Sequence, residues 1–340
     1  MNPAATPGPV RWGVLGASNF ALKTSVPAMQ RGPLTAISAL ASRDLGRARA
    51  AAAVLGIPRA YGSYDELLAD PDIEAIYNPL PNTLHVEWTA RAARAGKHVL
   101  CEKPIGMSAE EALRLVAVQR ETGKLIGEAF MIRSHPQWQQ ARQWVQDGRI
   151  GELVSMQAAF SYFNRDATNI RNRTDMGGGA LYDIGCYAVN CSRYLFGREP
   201  LRAVALAERD PVFGTDRLVS GLLDYGGAHL SFTCSTQAVP HQRVNALGTK
   251  GRIEIEIPFN APGERSCRIL LDDGSVLGGS AAQVTLLPPA DQYQLQAEAF
   301  SRAIRQGGSI ENSIDVALGN MRVIDALFRS VQTGCWERIL

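Results

Sequence analysis

A short segment near the N-terminus has the composition of a dinucleotide-binding turn. Residues 16–21 read Gly-Ala-Ser-Asn-Phe-Ala and lie between an apolar strand pattern and a helical pattern. The G-x-G-x-x-G fingerprint is altered here, because Ser18 replaces its second glycine and Ala21 its third, where alanine is accepted. Backbone N–H groups at a helix start bind pyrophosphate, although an ordinary strand–helix turn has a similar composition. The residues that we expect to contact a dinucleotide are Gly16, Ala17, Ser18, Asn19 and Phe20.

The end of the next strand pattern carries a hydroxyl and a guanidinium. Sites that prefer NAD place an acidic side chain about 20 residues after the glycine turn, where it holds the ribose hydroxyls. Here the pattern ends at Ser42 and Arg43, a pair that suits a 2′-phosphate. Asp44 follows, and it fits better as the N-cap of the next helix. The sequence therefore favours NADP over NAD, although a solvated arginine gives the same pattern.

Three further ionisable residues stand where they could meet a substrate. Lys103 follows the fourth strand pattern, at the sheet edge where folds of this kind bind ligands. In the second half of the chain, Asp183 and Tyr187 are four residues apart and would share one face of a helix. A tyrosine titrates near about 10, and a nearby cation favours the phenolate, which can act as a general base. A surface lysine and a buried core tyrosine are the alternative interpretations.

The elements that would position these groups alternate between strand and helix in the first part of the chain. Strand patterns are followed by helical patterns with short joints, which predicts a parallel, doubly wound Rossmann sheet with helices on both faces. The predicted strands are residues 10–15, 34–41, 75–78 and 98–101, and the predicted helices are residues 21–31, 47–55, 64–69, 83–95 and 109–122.

After about residue 150 the pattern changes to successive strands, which predicts a second, α+β domain with an open, mostly antiparallel sheet. The predicted strands are residues 153–160, 203–207, 219–224, 228–233, 243–247 and 252–257, with turns at 225–227 and 248–251 and helices at 179–196, 293–305 and 314–333. A chain of 340 residues exceeds the roughly 250–300 residues at which one core stops growing. We therefore predict an NADP-binding domain over residues 1–128 and a substrate-binding and oligomerisation domain over residues 129–340.

Composition excludes several classes of protein. A net charge of +2 gives no broad field for nucleic acid or an anionic membrane, and no apolar run approaches the roughly 20 residues of a membrane span. The six cysteines lack metal-ligand spacing, so no structural metal is expected. The first ten residues lack the features of a secretory signal. We expect a cytoplasmic globular protein with a small-molecule substrate.

Five segments together resemble the glucose–fructose oxidoreductase / inositol dehydrogenase (Gfo/Idh/MocA) family in order and spacing. They are GAS at 16–18, NPLPNTLH at 78–85, GKHVLCEKP at 96–104, EAFMIRSHP at 128–136 and GGGALYDIGCY at 177–187. Tyr187 stands where inositol dehydrogenases have histidine, so the chain is similar to the glucose–fructose, aldose–aldose, dihydrodiol and xylose dehydrogenase branch. Ser18, Ile132 and Ser134 depart from the pattern of this branch. Beyond residue 187 the similarity is in architecture only.

The resemblance implies roles for particular residues. Lys103 would lie beside the nicotinamide and hydrogen-bond the reacting oxygen, while Asp183 and Tyr187 would lie on the substrate helix. Arg133 is a candidate to line a polyol pocket. The further cofactor contacts that we expect in this half of the site are Asn78, Leu80, Asn82, His85, Glu102 and Lys103.

These residues suit oxidation of a sugar C1 hydroxyl. Tyr187 would act as base in oxidation and as acid in reduction, Lys103 would polarise the oxygen, and Asp183 would hold a ring hydroxyl or orient the other two. An exchange of roles between Lys103 and Tyr187 fits the same pattern. We predict conversion of an aldose to its lactone with NADP, with or without coupled reduction of a second sugar on tightly bound cofactor. The alternatives are a dihydrodiol or polyol dehydrogenase that uses free NADP, and a non-catalytic NADP-binding sensor.

The open sheet face predicts a homodimer or homotetramer.

Overall fold

The computed structural model describes residues 8–340, which form two compact units. The first unit contains the residues up to Gly106, together with Glu110–Met131 and Tyr293–Ala317. Its sheet is parallel and has the order β3-β2-β1-β4-β5-β6, which is the order of a Rossmann fold. The strands are β1 (Val10–Leu15), β2 (Thr35–Ala41), β3 (Arg59–Tyr61), β4 (Ala75–Asn78), β5 (His98–Cys101) and β6 (Ile126–Glu128). The sequence does not predict β3 and β6, because strands of three residues are too short to show a period.

The helices of the first unit follow the sequence closely. They are α1 (Val26–Arg31), α2 (Leu45–Leu55), α3 (Tyr64–Ala69), α4 (His85–Arg94) and α5 (Ala109–Thr122). A π-helical turn, Ala21–Ser25, precedes α1, and a 3₁₀ turn, Asn82–Leu84, precedes α4. Asp44 caps α2 as predicted, since its Oδ1 accepts a hydrogen bond from the backbone N–H of Arg47 at 2.7 Å.

The structure divides the chain differently from the predicted boundary at residue 128. Helix α8 (Gln292–Gln306) lies almost entirely in the first unit, far along the chain from its other elements. The ring of Phe300 packs 5.5 Å from that of Trp12 in β1, and Trp12 Nε1 donates to Ser301 Oγ at 3.1 Å. Arg305 also pairs with Glu74 at 2.7 Å. The apolar stripe of α8 therefore completes the core of the dinucleotide-binding unit.

The second unit is built on a nine-stranded sheet of order β14-β13-β12-β11-β7-β10-β9-β8-β15. Its strands are β7 (Leu153–Phe163), β8 (Arg202–Arg209), β9 (Asp216–Asp224), β10 (His229–Ser235), β11 (Gln237–Gly248), β12 (Arg252–Ile255), β13 (Cys267–Asp272), β14 (Gln283–Leu287) and β15 (Glu337–Arg338). β7 and β10 are parallel and the other paired strands are antiparallel, which confirms the predicted class of sheet. At the predicted hairpin, Tyr225 N donates to Ala228 O at 2.8 Å across two glycines with positive φ.

The helices of the second unit are α6 (Pro136–Gln146), α7 (Cys186–Phe196) and α9 (Ile314–Thr333), whose first residues belong to the first unit. The sequence patterns do not predict α6, although a proline at the first position of a helix is a start signal. A π-helical turn, Leu181–Gly185, runs directly into α7, whose residues 186–195 are all buried. Among residues 8–340, no helix combines the length and apolar composition needed to cross a bilayer.

Candidate active site

The turn after β1 has the geometry of a phosphate-binding turn. Gly16 has a φ of +82°, and a Cβ added there would lie 2.9 Å from Leu80 Cδ2, so the position requires glycine. Ser18 Oγ accepts a hydrogen bond from Ala21 N at 3.2 Å, which caps the helix that follows. Asn19 is exposed at the start of this helix, and the Phe20 ring packs edge-on against Tyr293 at 5.7 Å. Ser18 therefore supports the turn at the position where the usual fingerprint has glycine.

Two arginines gather at the ends of β1 and β2. Arg47 Nη2 donates to the carbonyl oxygen of Ala17 at 2.8 Å, which joins α2 to the phosphate turn. Burial raises the pKa of the Tyr64 phenol, while the nearby guanidiniums of Arg43 and Arg47 oppose that rise. Ser42 is buried in the same place and Arg43 is exposed. Two guanidiniums beside a glycine turn fit an NAD(P) dinucleotide, and Arg47 is a candidate contact that the sequence interpretation does not name. Its place in the first turn after β2 is the signal that could have identified it.

Asn78 supports the site from within the protein. Its side chain is fully buried, Oδ1 accepts from Leu80 N at 3.3 Å, and Nδ2 donates to His85 O and Thr89 Oγ1 at 3.2 and 3.1 Å. Its carbonyl oxygen accepts a hydrogen bond from Glu102 N at 3.0 Å. Asn78 thus braces two turns, and its predicted contact with the cofactor stays a prediction.

His85 connects the same two turns. Its Nδ1 lies 2.7 Å from Pro104 O, and its Nε2 lies 2.7 Å from Leu80 O. Burial lowers the pKa of His85 to about 4, although the two carbonyl oxygens oppose this shift. The ring is therefore neutral near pH 7 and donates to one carbonyl at a time. Asn82, another predicted cofactor contact, begins the 3₁₀ turn just before His85.

The turn that carries Lys103 is held by acidic side chains. The Lys103–Pro104 peptide bond is cis, and Lys103 is partly exposed after the end of β5. Glu102 Oε1 accepts a hydrogen bond from Tyr77 OH at 2.7 Å, and Glu102 Oε2 accepts from Lys103 N at 3.3 Å. Behind the turn, the buried Glu128 accepts from Ile105 N at 2.8 Å. Glu102 thus fixes the backbone from which the Lys103 ammonium projects.

In the second unit, Asp183 lies in a cluster of three polar side chains. Asp183 Oδ2 accepts a hydrogen bond from Tyr162 OH at 2.5 Å, and Oδ1 pairs with Arg171 Nε at 3.0 Å. Burial, together with the charge of Asp183, raises the pKa of Tyr162. The charge of Asp183 also raises the pKa of Arg171. The sequence interpretation does not name either partner, because Tyr162 lies beyond the strand predicted at 153–160 and Arg171 lies outside the five motifs.

Tyr187 lies in the first turn of α7 and is backed by aromatic rings. Its ring packs edge-on against Phe160 at 5.7 Å and at an angle of 46° against Phe259 at 5.4 Å. Trp138 stacks in turn on Phe259 at 6.3 Å. The Tyr187 phenol also contributes to the raised pKa of Arg171, which places the two side chains in one electrostatic environment. Asp183 and Arg171 are ion-paired, and Tyr187 follows four residues after Asp183 along the same helical segment.

The three-glycine run at 177–179 lets this helix start where it does. A Cβ added at Gly178 would lie 2.5 Å from the Arg171 carbonyl oxygen, and one at Gly179 would lie 2.1 Å from Asp216 Oδ1. Asp216 Oδ2 accepts a hydrogen bond from Leu181 N at 2.7 Å, so a carboxylate from β9 caps the helix. The glycines are thus needed for the close approach of Arg171 and Asp216.

Arg133, a predicted pocket residue, lies beside α7. Its side chain is buried, Nε donates to Asn190 Oδ1 at 2.9 Å, and the guanidinium lies 4.9 Å from the ring centre of Tyr194. Both partners belong to α7. Arg133 therefore packs against α7, and its role in a polyol pocket stays a prediction. No three His, Cys, Asp or Glu side chains in the described part of the chain are grouped so as to hold a metal ion.

The strand order of the first unit and its glycine turn define a dinucleotide-binding Rossmann protein. Residues 10–130 match the sequence model described as "Oxidoreductase family, NAD-binding Rossmann fold". Residues 138–254 match the model described as "GFO/IDH/MocA C-terminal domain". The chain belongs to the Gfo/Idh/MocA family of NAD(P)-dependent oxidoreductases, which confirms the resemblance seen in its motifs.

Similar proteins cover almost the whole chain. An uncharacterized oxidoreductase of Rhizobium meliloti is 47% identical over 97% of this chain and 99% of its own. A D-xylose 1-dehydrogenase (NADP⁺) of Haloferax volcanii is 37% identical over 95% of this chain and 98% of its own. Among solved structures, the chain is similar to a 3-ketoreductase from Actinomadura kijaniata in complex with NADP and TDP-benzene. The TM-score is 0.88 at 31% sequence identity, and the match covers 95% of this chain and 98% of the other.

Proposed function

We propose that this protein is an NADP-dependent oxidoreductase that transfers a hydride between the nicotinamide and C1 of an aldose, giving the lactone. The observation that carries the proposal is the group formed by Tyr187, Asp183 and Arg171 on and beside the substrate helix. A phenol, an ion-paired carboxylate and a cation are the components of a site that moves a proton to or from a hydroxyl. Similarity to a D-xylose 1-dehydrogenase supports the aldose as substrate.

The preference for NADP rests on the residues at the end of β2. Ser42, Arg43 and Arg47 offer a hydroxyl and two guanidiniums beside the phosphate turn. A 2′-phosphate is bound well by guanidinium groups, and no acidic side chain stands where NAD-preferring sites place one, apart from Asp44, which caps α2. The ligand of the similar 3-ketoreductase, NADP, agrees with this preference.

The chemistry requires one proton acceptor and one hydrogen-bond donor at the reacting oxygen. When bound, the nicotinamide accepts the hydride that leaves C1. Tyr187 takes the proton of the C1 hydroxyl as the C1–O bond becomes a carbonyl, and the cation of Arg171 nearby favours the phenolate that this step needs. Lys103 donates a hydrogen bond to the same oxygen, and Asp183 keeps Arg171 in place. In reduction, Tyr187 returns the proton.

The similarity to a 3-ketoreductase favours a second candidate, in which the same residues reduce a keto sugar. Tyr187 would then be the acid and Lys103 would polarise the ketone oxygen. Coupled oxidation of one sugar and reduction of another would appear as tightly bound cofactor whose reduced-nicotinamide absorbance responds to aldoses without added NADP. Absorbance of the purified protein therefore separates the coupled reaction from turnover on free NADP.

Turnover of a panel of aldoses, keto sugars and diols with NADP and NAD tests the proposal. We expect Lys103→Ala and Tyr187→Phe each to lower kcat by at least about 100-fold, the usual scale of acid–base catalysis, with NADP binding retained. Lys250→Ala, in an exposed hairpin turn, and Tyr61→Phe, in β3, are matched controls that should stay active. Full activity of Tyr187→Phe, or no turnover of any sugar with either cofactor, contradicts the proposal.

We also propose a homodimer or homotetramer assembled through the open face of the nine-stranded sheet. This face has a hollow lined by β7, β8, β9, β10 and β11, and its leucines are exposed, with Leu206 at 78% and Leu222 at 42%. Large exposed apolar side chains on an open sheet face are typical of an interface between subunits.

A further inference from the structure

Only one of the three guanidinium nitrogens of Arg171 donates a hydrogen bond within residues 8–340. Its Nε pairs with Asp183 Oδ1 at 3.0 Å, but Nη1 and Nη2 donate to no atom within residues 8–340. The side chain is 38% exposed, so part of it faces solvent beside the Asp183 ion pair. An arginine that is fixed at one nitrogen and open at the other two presents a planar pair of parallel donors.

The backbone of Arg171 is held on several sides. Its N–H donates to Asn169 Oδ1 at 3.1 Å, and its carbonyl oxygen accepts from Gly179 N at 3.0 Å. The next residue, Asn172, donates from Nδ2 to Asp166 O at 2.9 Å. A Cβ at Gly178 would collide with the Arg171 carbonyl oxygen, at 2.5 Å. The loop and the substrate helix thus hold Arg171 in one position, which reduces the entropy lost when its free nitrogens bind a ligand.

The charge around Arg171 argues for a neutral ligand. Asp183 is paired with the guanidinium and faces it from the substrate helix. Tyr162 and Tyr187, the other two ionisable groups that contribute to its electrostatics, are phenols. Because the carboxylate balances the cation, the open nitrogens offer hydrogen-bond geometry without a net positive charge. Two hydroxyls on adjacent carbons match the spacing of such a pair of donors, whereas a carboxylate or phosphate would be repelled by Asp183.

We propose that Nη1 and Nη2 of Arg171 bind two adjacent hydroxyls of an uncharged sugar and so select polyhydroxylated substrates. This inference rests on the proposed function, since it assigns the binding contact that orients the sugar for Tyr187. Arg171 thereby joins the specificity-determining residues of the site, and Asp183 becomes the residue that positions it.

Calorimetric titration of NADPH-saturated protein with D-xylose tests the contact without turnover, because the reduced cofactor cannot accept a hydride from the sugar. We expect Arg171→Gln and Arg171→Lys each to raise the Kd for D-xylose roughly 10- to 100-fold, the scale of hydrogen bonds to a charged donor. Lysine keeps the charge beside Asp183 but lacks the paired donors. Arg173 is the matched control, because it lies two residues further on, is 43% exposed and pairs with Asp175. Arg173→Gln and Arg173→Lys should bind D-xylose like the wild type.

Deoxygenated sugars identify the hydroxyls. The 2-deoxy or the 3-deoxy form of D-xylose should bind the wild type more weakly by a similar factor, and Arg171→Gln should not distinguish that form from D-xylose. Wild-type affinity in Arg171→Lys, tighter binding of D-glucuronate than of D-glucose, or no D-xylose binding by the wild type overturns the proposal. NADP binding and the melting temperature of each variant identify misfolding, and Arg171→Lys covers the case in which the glutamine variant does not fold.

The two proposals fail in different ways. If Arg171→Gln loses D-xylose binding while Tyr187→Phe turns over normally, the contact stands and the proposed catalytic role of Tyr187 falls. If Tyr187→Phe is inactive and Arg171→Gln binds D-xylose like the wild type, the catalytic proposal stands and the contact at Arg171 falls.

Discussion

The phosphate turn depends on three residues that act together. Gly16 supplies the left-handed backbone that a side chain would obstruct, and Ser18 caps the helix with its hydroxyl. Arg47 holds the turn through the Ala17 carbonyl while its charge stays close to Arg43. We therefore propose separable roles for the two arginines: Arg43 would contact the 2′-phosphate, and Arg47 would contact it and also hold the turn.

We expect Arg43→Ala to raise the KM for NADP roughly 10- to 100-fold and to leave the KM for NAD unchanged, because a charged hydrogen bond to the 2′-phosphate is lost. Arg47→Ala should raise the KM for both cofactors, because it also releases the Ala17 carbonyl. Steady-state kinetics with each cofactor measure this, with Arg49→Ala, also exposed in α2, as the control. An equal effect of Arg43→Ala on both cofactors would contradict the role assigned to it.

At the scale of elements, strand β9 caps the π-helical turn Leu181–Gly185, which leads into α7. Asp216, its first residue, accepts a hydrogen bond from Leu181 N at the beginning of the π-helical turn. Burial raises the pKa of Asp216 to about 6, while the helix N–H groups and Arg209 oppose the rise. The buried thiol of Cys234 also faces this carboxyl group. At the other end of the strand, the Gly226 N–H and Arg202 lower the pKa of Asp224.

These opposite shifts predict opposite pH dependences. Folded Asp216 keeps its proton up to about pH 6, whereas Asp216 in the unfolded chain loses its proton at about pH 4. Between these two pH values the folded state binds more protons than the unfolded state. The free energy of unfolding therefore falls as pH rises through this window, by up to about 3 kcal/mol. Asp216→Asn should remove this fall. Asp224 contributes stability above its ordinary pKa that is lost as pH drops, so Asp224→Asn should be destabilised at neutral pH and approach the wild type in acid.

Urea unfolding between about pH 2 and about pH 7 measures both effects, because the Asp216 effect falls between about pH 4 and about pH 6 and the Asp224 effect falls below about pH 4. The two variants serve as controls for each other, because they change the same side chain at opposite ends of β9. A parallel pH profile for wild type and Asp216→Asn would show that Asp216 titrates normally and does not cap the helix as a buried carboxylate.

At the scale of the whole molecule, the open face of the second sheet is the feature that lacks a partner within its own unit. Leu206 in β8 and Leu222 in β9 face outward among small and polar side chains such as Ser220, Ser231 and Thr233. Exposure of these leucines has a cost in water of about 25 cal/mol for each Å² of apolar area, which pairing with a second subunit removes. This cost is the physical reason to expect assembly.

We expect Leu206→Glu to convert the dimer or tetramer to a smaller species, because a charge buried without a partner in the interface is strongly unfavourable. Sedimentation velocity of wild type and variant at equal concentration measures the change. Leu113→Glu is the control, since Leu113 is also exposed but lies on α5, outside this face. A monomeric wild type, or an unchanged assembly in Leu206→Glu, would contradict the proposed interface.

Local patterns in the sequence determined the elements, the phosphate turn and the family. The bounds of α3, α5 and β5, the cap at Asp44 and the hairpin at 225–227 follow from periodicity, capping and turn residues, which act over a few positions. The candidate catalytic residues Lys103, Asp183 and Tyr187 follow from motifs with the same short range.

Only the tertiary structure decided which distant groups meet. Arg171 reaches Asp183 across a loop, Asp216 caps a helix 35 residues earlier in the chain, and Phe300 returns to pack on Trp12. Asn78 and Arg133, both predicted ligand contacts, are buried and hydrogen-bond to Thr89 and Asn190, pairings that the motifs do not show. Sequence patterns report backbone conformation and burial, whereas these pairings depend on how loops close and on which polar atoms are left without water. A buried polar group must find a partner, and the partner can come from any part of the chain.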